Sequence, residues 1–256
     1  MLIVLEKEWL ELRLQRTLLL ATFFLPPLIT AFAVVGFFFV GKFTASTIGS
    51  AAPLPPEFAS LSQFELGQAI LGRQFSTLFL LVPIFIPSVL ASYAIVGEKR
   101  ERTLEPVLAT PIRTWELLLG KILGALVPAL AITLASAAVF VVGILSFAVS
   151  DRVRAMIVTP GWVLAVLVDT PLLALIGVAL IVVLSSRVND PRTAQQISAV
   201  LVVPVVGLLF GQLAGVIVLS PPLALGIGVV LAIVAAGALW AATRLFQREV
   251  ILTRWR

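Results

Sequence analysis

The chain contains no cysteine and no histidine, and only 12% of its 256 residues are charged. Without thiols there are no disulfides and no thiolate chemistry, and without imidazoles haem ligation by histidine and most zinc sites are excluded. Tyrosine occurs once and methionine twice. Apolar residues dominate instead, at 60%. One soluble core cannot hide that much apolar surface, so lipid is the expected solvent.

The apolar residues fall into runs. About 20 are needed to cross roughly 30 Å of hydrocarbon as a helix, and six runs reach that length. They are Leu18 to Val40, Phe75 to Val96, Ile122 to Phe147, Trp162 to Leu184, Ile197 to Leu219 and Leu223 to Thr243. The last two are separated by the turn signal Ser220-Pro221-Pro222. None shows the alternation of a barrel strand, which predicts an all-α membrane protein with six transmembrane helices. The first run is too long, and its preceding segment too mixed in charge, for a cleaved signal. No composition shift or internal repeat divides residues 1–256, so a single transmembrane domain is expected.

Basic residues favour the cytoplasmic side of short loops. With the N-terminus inside, 14 of the 18 Lys and Arg residues lie in cytoplasmic segments; only Lys42, Arg73, Arg152 and Arg154 lie outside. Both termini are therefore expected in the cytoplasm of an inner (plasma) membrane protein. The net charge of +5 then calls for anionic lipid rather than nucleic acid.

Before the first span, Leu2, Leu5, Trp9 and Leu12 recur at helical spacing, while Lys7, Glu11 and Gln15 make an opposite stripe. This pattern predicts an N-terminal amphipathic helix lying in the interface, with Trp9 at headgroup depth.

Between spans two and three lies the most informative segment, Gly97 to Lys121. Thr103 is a plausible N-cap, followed by Leu104, Glu105 and Pro106 in a first turn where proline costs no hydrogen bond and Glu105 favours the dipole. Leu104, Val107 and Leu108 share one face. Thr110-Pro111 stops the chain, and Thr114 caps the next helix. A short cytoplasmic helix over Leu104 to Ala109 is predicted, flanked by the charges of Glu98, Lys99, Arg100, Glu101 and Arg102.

These residues resemble the permease subunits of ABC transporters of the type-2 exporter class. There a motif close to E-x-E-x-G-T-L-E-x-L-L-x-T-P, followed by a leucine-rich run ending in Gly-Lys, occupies the first cytoplasmic loop. Glu98, Glu101, Thr103, Leu104, Glu105, Leu108, Thr110, Pro111, Leu117, Leu118, Leu119, Gly120 and Lys121 match; Arg102 replaces the usual glycine and Pro106 is uncommon. The segment from Ser185 through Asp190, Thr193, Ala194 and Gln195 to Pro204 is similar to a second family pattern. The resemblance implies that residues 104–109, with Leu104, Glu105, Val107 and Leu108, form a coupling helix docking on a separate cytoplasmic ABC ATPase, with Glu98, Glu101, Arg102, Thr103, Thr110 and Pro111 around it. It also implies a second permease copy, with a substrate path between the two. ATP and Mg would then sit on the partner ATPase, with no cofactor bound by this chain.

One motif is a decoy. Gly36 to Phe43 nearly spells a phosphate loop, but it ends in Phe43 and its middle positions are bulky and apolar. Within the spans, Asp169 is the one carboxylate deep in an apolar run and, with Gln212, makes a candidate intramembrane polar site. Thr170-Pro171 offers a second reading, in which Asp169 or Thr170 caps a helix that restarts there. Gly207, Gly211 and Gly215 line one face of span five and favour close helix packing. Pro83 and Pro87 are expected to bend span two. In the outer segment from Lys42 to Gln74, Phe58 to Leu71 reads as an amphipathic stretch.

Two functions compete. The first is the membrane subunit of an ATP-driven exporter; the alternative is a self-contained six-span channel or ion-coupled carrier, in which Asp169 would meet the ion. A membrane-embedded enzyme lacks the usual acid, base and metal groups.

Overall fold

The computed structural model describes residues 2–14, 16–43, 60–98, 114–185, 188, 190–213, 217 and 219–245. No strand occurs among them. The elements are α1 (Leu2–Leu14), α2 (Arg16–Phe43), α3 (Gln63–Leu78), a 3₁₀ turn (Phe79–Leu81), α4 (Val82–Ala91) and a π segment (Ser92–Gly97). After residues 99–113 come α5 (Thr114–Phe147), α6 (Asp151–Ile157), α7 (Pro160–Leu164), a second π segment (Ala165–Asp169) and α8 (Thr170–Ser185). The chain continues through α9 (Pro191–Ser198), a 3₁₀ turn (Ala199–Leu201), α10 (Val202–Leu213) and α11 (Pro221–Leu245).

Five helical runs are long and apolar enough to cross a membrane: Gln63–Gly97, Trp115–Phe147, Asp151–Leu184, Pro191–Gln212 and Pro221–Arg244. In α2 the apolar stretch Pro26–Val40 is shorter. Several of the helix starts carry a side-chain cap. Ser62 and Glu65 form a capping box, Ser150 caps α6 and Thr159 caps α7, with Pro160 at the first helical position. Asp190 caps α9 in the same way, its carboxylate accepting from the Thr193 amide at 3.2 Å.

Several expectations change. Phe58 to Leu71 is no separate amphipathic piece from Gln63 onward, because α3 runs on into span two. Asp169-Thr170-Pro171 does not restart a helix. The helix already begins at Pro160 and passes through residues 165–169 as π turns, where the Thr170 amide bonds back to the Ala165 carbonyl. Pro171 has no N–H and its ring crowds the preceding turn, and a local change of winding absorbs both faults. Asp169 therefore caps nothing. Ahead of Pro83 the 3₁₀ turn at Phe79–Leu81 is a comparable adjustment in span two. In span five, α10 is described to Leu213, and Ile217 and Leu219 lie outside any helix. In its glycine stripe, Gly211 meets Ile217 while Gly207 has no neighbour within 4 Å; Gly215 lies outside the described residues. Gly36 to Phe43 completes α2, so backbone amides that a phosphate loop would need belong to a helix.

Two buried clusters set the two ends of the bundle. The proximal one, nearest α1, packs Ile95, Leu117, Ile122, Val178, Ile181 and Ala194. The distal one packs Phe37, Phe79, Phe140, Ile144, Ile157 and Trp162. Rings of Phe79, Phe140 and Trp162 lie 5.8 to 6.5 Å apart, and the indole N–H donates to the Ser76 carbonyl at 2.8 Å. Since lipid is as apolar as leucine, such close packing and internal hydrogen bonding hold the helices together better than burial alone. Outward positions are apolar too: Phe24 and Phe32 on α2, and Val229, Ile233 and Trp240 on α11, are exposed.

Backbones come closest at Gly161, where an added Cβ would lie 2.1 Å from the Leu219 carbonyl oxygen. Backbone cannot swing aside as a side chain can. Gly161→Ala is therefore expected to destabilise the protein by about 1–3 kcal/mol. Gly237→Ala, with no neighbour within 4 Å, should be neutral or gain up to about 1 kcal/mol of helix propensity. Thermal unfolding in detergent or nanodiscs distinguishes the two.

Candidate functional site

At the proximal end, three stretches distant in sequence meet on one ammonium group. Lys121, 1% exposed, donates to Glu8 Oε1 at 2.7 Å, to Glu98 Oε2 at 2.6 Å and to the Ala94 carbonyl at 2.7 Å. Three donors find three acceptors, which is what a buried ammonium requires. Glu98 also accepts from Lys7, and Lys7 reaches Glu11 at 3.1 Å one turn along α1. Glu8 is 4% and Glu98 6% exposed. Two lysines facing Glu8 and Glu98 balance the charge where water cannot.

The local sequence explains the meeting. Glu8 interrupts the apolar stripe of α1, so the helix turns a carboxylate toward the protein while Trp9, Leu10 and Leu14 stay exposed. It can approach because Gly124, one turn beyond Lys121, has no side chain: an added Cβ there would sit 2.9 Å from Glu8 Cβ. Glu98 closes the π segment Ser92–Gly97, and Lys121 stands two turns into α5. Residues 99–113 are thus bracketed by a carboxylate and an ammonium that bond to each other. The second family-like loop docks on the same segment: Ala194 is fully buried, and Gln195 Nε2 donates to Ser92 Oγ at 2.8 Å.

Of the residues expected to serve coupling, Glu98 is placed directly in this junction. Glu101, Arg102, Thr103, Leu104, Glu105, Val107, Leu108, Thr110 and Pro111, with the predicted short helix, lie outside the described residues. The other two candidate residues are not brought into one site. Gln212 accepts from Thr77 Oγ1 at 2.5 Å and lines a distal cavity of about 180 Å³ with Arg73, Ser76, Thr159 and Trp162. Asp169 does not line it; its Oδ1 lies against Gly228 of α11. Glu8, Ser92 and Gln68 were not legible as site residues. Gln68, 1% exposed, staples the distal helix ends by donating to the Phe37 and Phe147 carbonyls and accepting from the Val149 amide. For Glu8 a signal existed: a carboxylate on an apolar helix face needs a buried cation, and Lys121 is a cation at the mouth of an apolar run.

Glu8, Glu11 and Glu98 also place carboxylate oxygens within 4.8 Å of one another. Lys7 and Lys121 lie between them and pair with all three carboxylates. Burial pushes the Glu8 carboxyl above its ordinary range despite Lys121, and the charge of Glu98 adds to the rise. For Lys7, burial opposes the charge, but hydrogen bonds and charges from Glu98 and Glu11 outweigh it and hold the ammonium above its usual value.

Lys121→Met would leave Glu8 and Glu98 facing each other without their shared cation, and should cost about 3–5 kcal/mol. Adding Glu8→Gln should recover part of that loss in the same unfolding measurement. For pH, a carboxyl held above its unfolded value contributes most stability below the ordinary carboxylate range and loses it as pH rises through the folded value. Wild type should therefore lose melting temperature relative to Glu8→Gln as pH rises through that window; parallel profiles would show that Glu8 is not held up.

Comparison with known proteins meets this geometry. A family model described as ABC-2 family transporter protein matches residues 2–221, a span that includes α1, Glu98, Lys121 and the Asp190 to Gln195 loop. No curated protein matches the chain. With helices long and apolar enough to cross a membrane five times and a match over most of its length, the chain belongs to the ABC-2 family of transporter permeases.

Proposed function

We propose that the chain is the membrane-spanning subunit of an ATP-driven exporter, worked by a separate cytoplasmic ABC ATPase and paired with a second permease copy. In this reading α2 is a sixth span, residues 1–256 form one transmembrane domain, and both termini face the cytoplasm of an inner membrane. The helix α1 lies in the inner interface. ATP and Mg belong to the partner.

The observation that carries the reading is the junction on Lys121. A push on residues 99–113 reaches Glu98 at one end and α5 at the other, and the ion pairs tie both to α1. From Glu98 the π segment leads into α4, and Gln195 ties that segment to α9. Force delivered at one loop is thus shared by spans two, three and five and by the N-terminal helix. At its centre Lys121, Glu8 and Glu98 are buried and have no water to exchange partners with, so they move together or break at a cost of several kcal/mol. Leu104, Val107 and Leu108 supply the apolar face that a groove on the ATPase would take, and Glu101, Arg102 and Glu105 would fix its register.

Co-expression with the ATPase encoded by a neighbouring gene tests the proposal. A stable complex is expected, and Leu104→Ala or Glu105→Ala should lower its substrate-stimulated ATP hydrolysis by about tenfold or more, the effect of losing 1.4 kcal/mol or more of coupling, while leaving membrane insertion intact. Flux through liposomes holding the permease alone, without any ATPase, would instead identify a self-contained channel or carrier.

A further inference from the structure

The second π segment carries a feature that coupling to an ATPase does not use. Asp169, 3% exposed, closes Ala165–Asp169, and its Oδ1 is buried with no hydrogen-bond partner. Thr170, fully buried beside it, has an Oγ1 in the same condition. Two adjacent orphaned oxygens stand out among the described residues, where Arg154 Nε is the other buried side-chain atom without a partner and buried groups such as Gln68, Ser88, Lys121 and Thr133 are hydrogen-bonded. The pair also lies deep. Nine residues separate Asp169 from the helix start at Pro160, about 14 Å of rise, and about 24 Å remain to the end of α8. That depth is inside the hydrocarbon.

An ionised carboxylate there needs a compensating charge. The elements packed most closely on the turn are α7, α8 and α11. Neither α7 nor α8 contains a charged or titratable residue, and α11 contains only Arg244, sixteen residues beyond Gly228 and stacked over Trp240. Arg244 is too far along the helix to reach. Space is equally restrictive. A Cβ on Gly228 would lie 2.9 Å from Asp169 Oδ1 and 3.2 Å from Val168, so the α11 backbone rests directly on the carboxylate. A hard metal cation asks for about six oxygen ligands, and only Oδ1 and Thr170 Oγ1 stand without partners here. A proton asks for no such shell.

We propose that Asp169 is an intramembrane proton-binding site, occupied while α11 is seated on the π segment. The proton sits on the Asp169 carboxyl and makes it neutral. Thr170 Oγ1 is the neighbouring hydroxyl, and Gly228 is the contact that keeps water out. Any movement that lifts α11 from residues 165–169 admits water, breaks the O–H bond and delivers the proton to that water, leaving a hydrated carboxylate. Opening and closing at this helix pair is thereby linked to proton release and uptake. This inference does not depend on an ATPase partner.

The full-length chain in lipid nanodiscs serves for the test. Infrared difference spectra between wild type and Asp169→Asn at neutral pH should show the C=O stretching band of a protonated carboxylic acid in wild type alone; its absence overturns the proposal. The amide is an isostere of the neutral acid, so the variant should fold and melt at least as high as wild type, and failure to fold also counts against the assignment. Between the ordinary aspartate range and the pH at which the band disappears, wild type should lose about tenfold in its folding equilibrium against Asp169→Asn for each unit of rising pH, one proton's worth of linkage, and lose no more above it. Equal pH profiles refute this. Exchanging sodium for choline should change nothing; a sodium-dependent stabilisation abolished in Asp169→Asn would make the site a metal-ion site and overturn the proton assignment.

Discussion

The proximal half of this protein depends on one ammonium group removed from water. Lys121 satisfies its three donors with Glu8 from α1 and with Glu98 and the Ala94 carbonyl from the end of span two. Uncompensated, any of these charges would be intolerable at the edge of a bilayer; assembled, each has an opposite charge beside it. Fixing Lys121 fixes the register of α5 against the end of span two. It also draws α1 onto α5 at Gly124, where the missing side chain lets the carboxylate in.

The two ends of the bundle solve their polar problems differently. Proximally, two lysines pair with three glutamates. Distally, a neutral amide does the joining: Gln68 donates to the Phe37 carbonyl inside α2 and to the last carbonyl of α5, and accepts from an amide in the turn before α6. Helix ends leave carbonyls without partners, and in a membrane protein these must be met by side chains or water. Glutamine carries both a donor and an acceptor without a charge to neutralise. The aromatic cluster of Phe79, Phe140 and Trp162 then fills the space beneath.

Much of this was legible in the sequence, and for definite reasons. Five of the six predicted apolar runs correspond to helical runs long enough to cross a membrane, because crossing hydrocarbon demands length and apolarity that composition shows directly. The family pattern over Glu98 to Lys121 was readable because motifs of charge, cap and proline are local. Less legible was anything requiring two elements at once. Glu8 stood in the sequence as one acid among several in a mixed segment; only the approach of α1 to Gly124 makes it a ligand of Lys121. Asp169-Thr170-Pro171 read as a helix start, since proline and a capping residue are the ordinary signs of one. The earlier cap at Thr159 and the π winding let the helix pass through, and that choice was made by packing against α11.

The sequence by itself determined the solvent, the helical class and the near-absence of reactive chemistry. These follow from composition and from runs of one residue type, which no tertiary arrangement can alter. Tertiary structure decided which polar residues are partners and which are left alone. Lys121 and Asp169 are both charged residues beside or within apolar runs, and sequence treats them alike. Folding surrounds the first with two carboxylates and a carbonyl, and sets the second against a bare glycine backbone. The difference arises because a helix of fixed pitch can bring a partner to one depth and not to another, and only the packing of whole helices sets those depths.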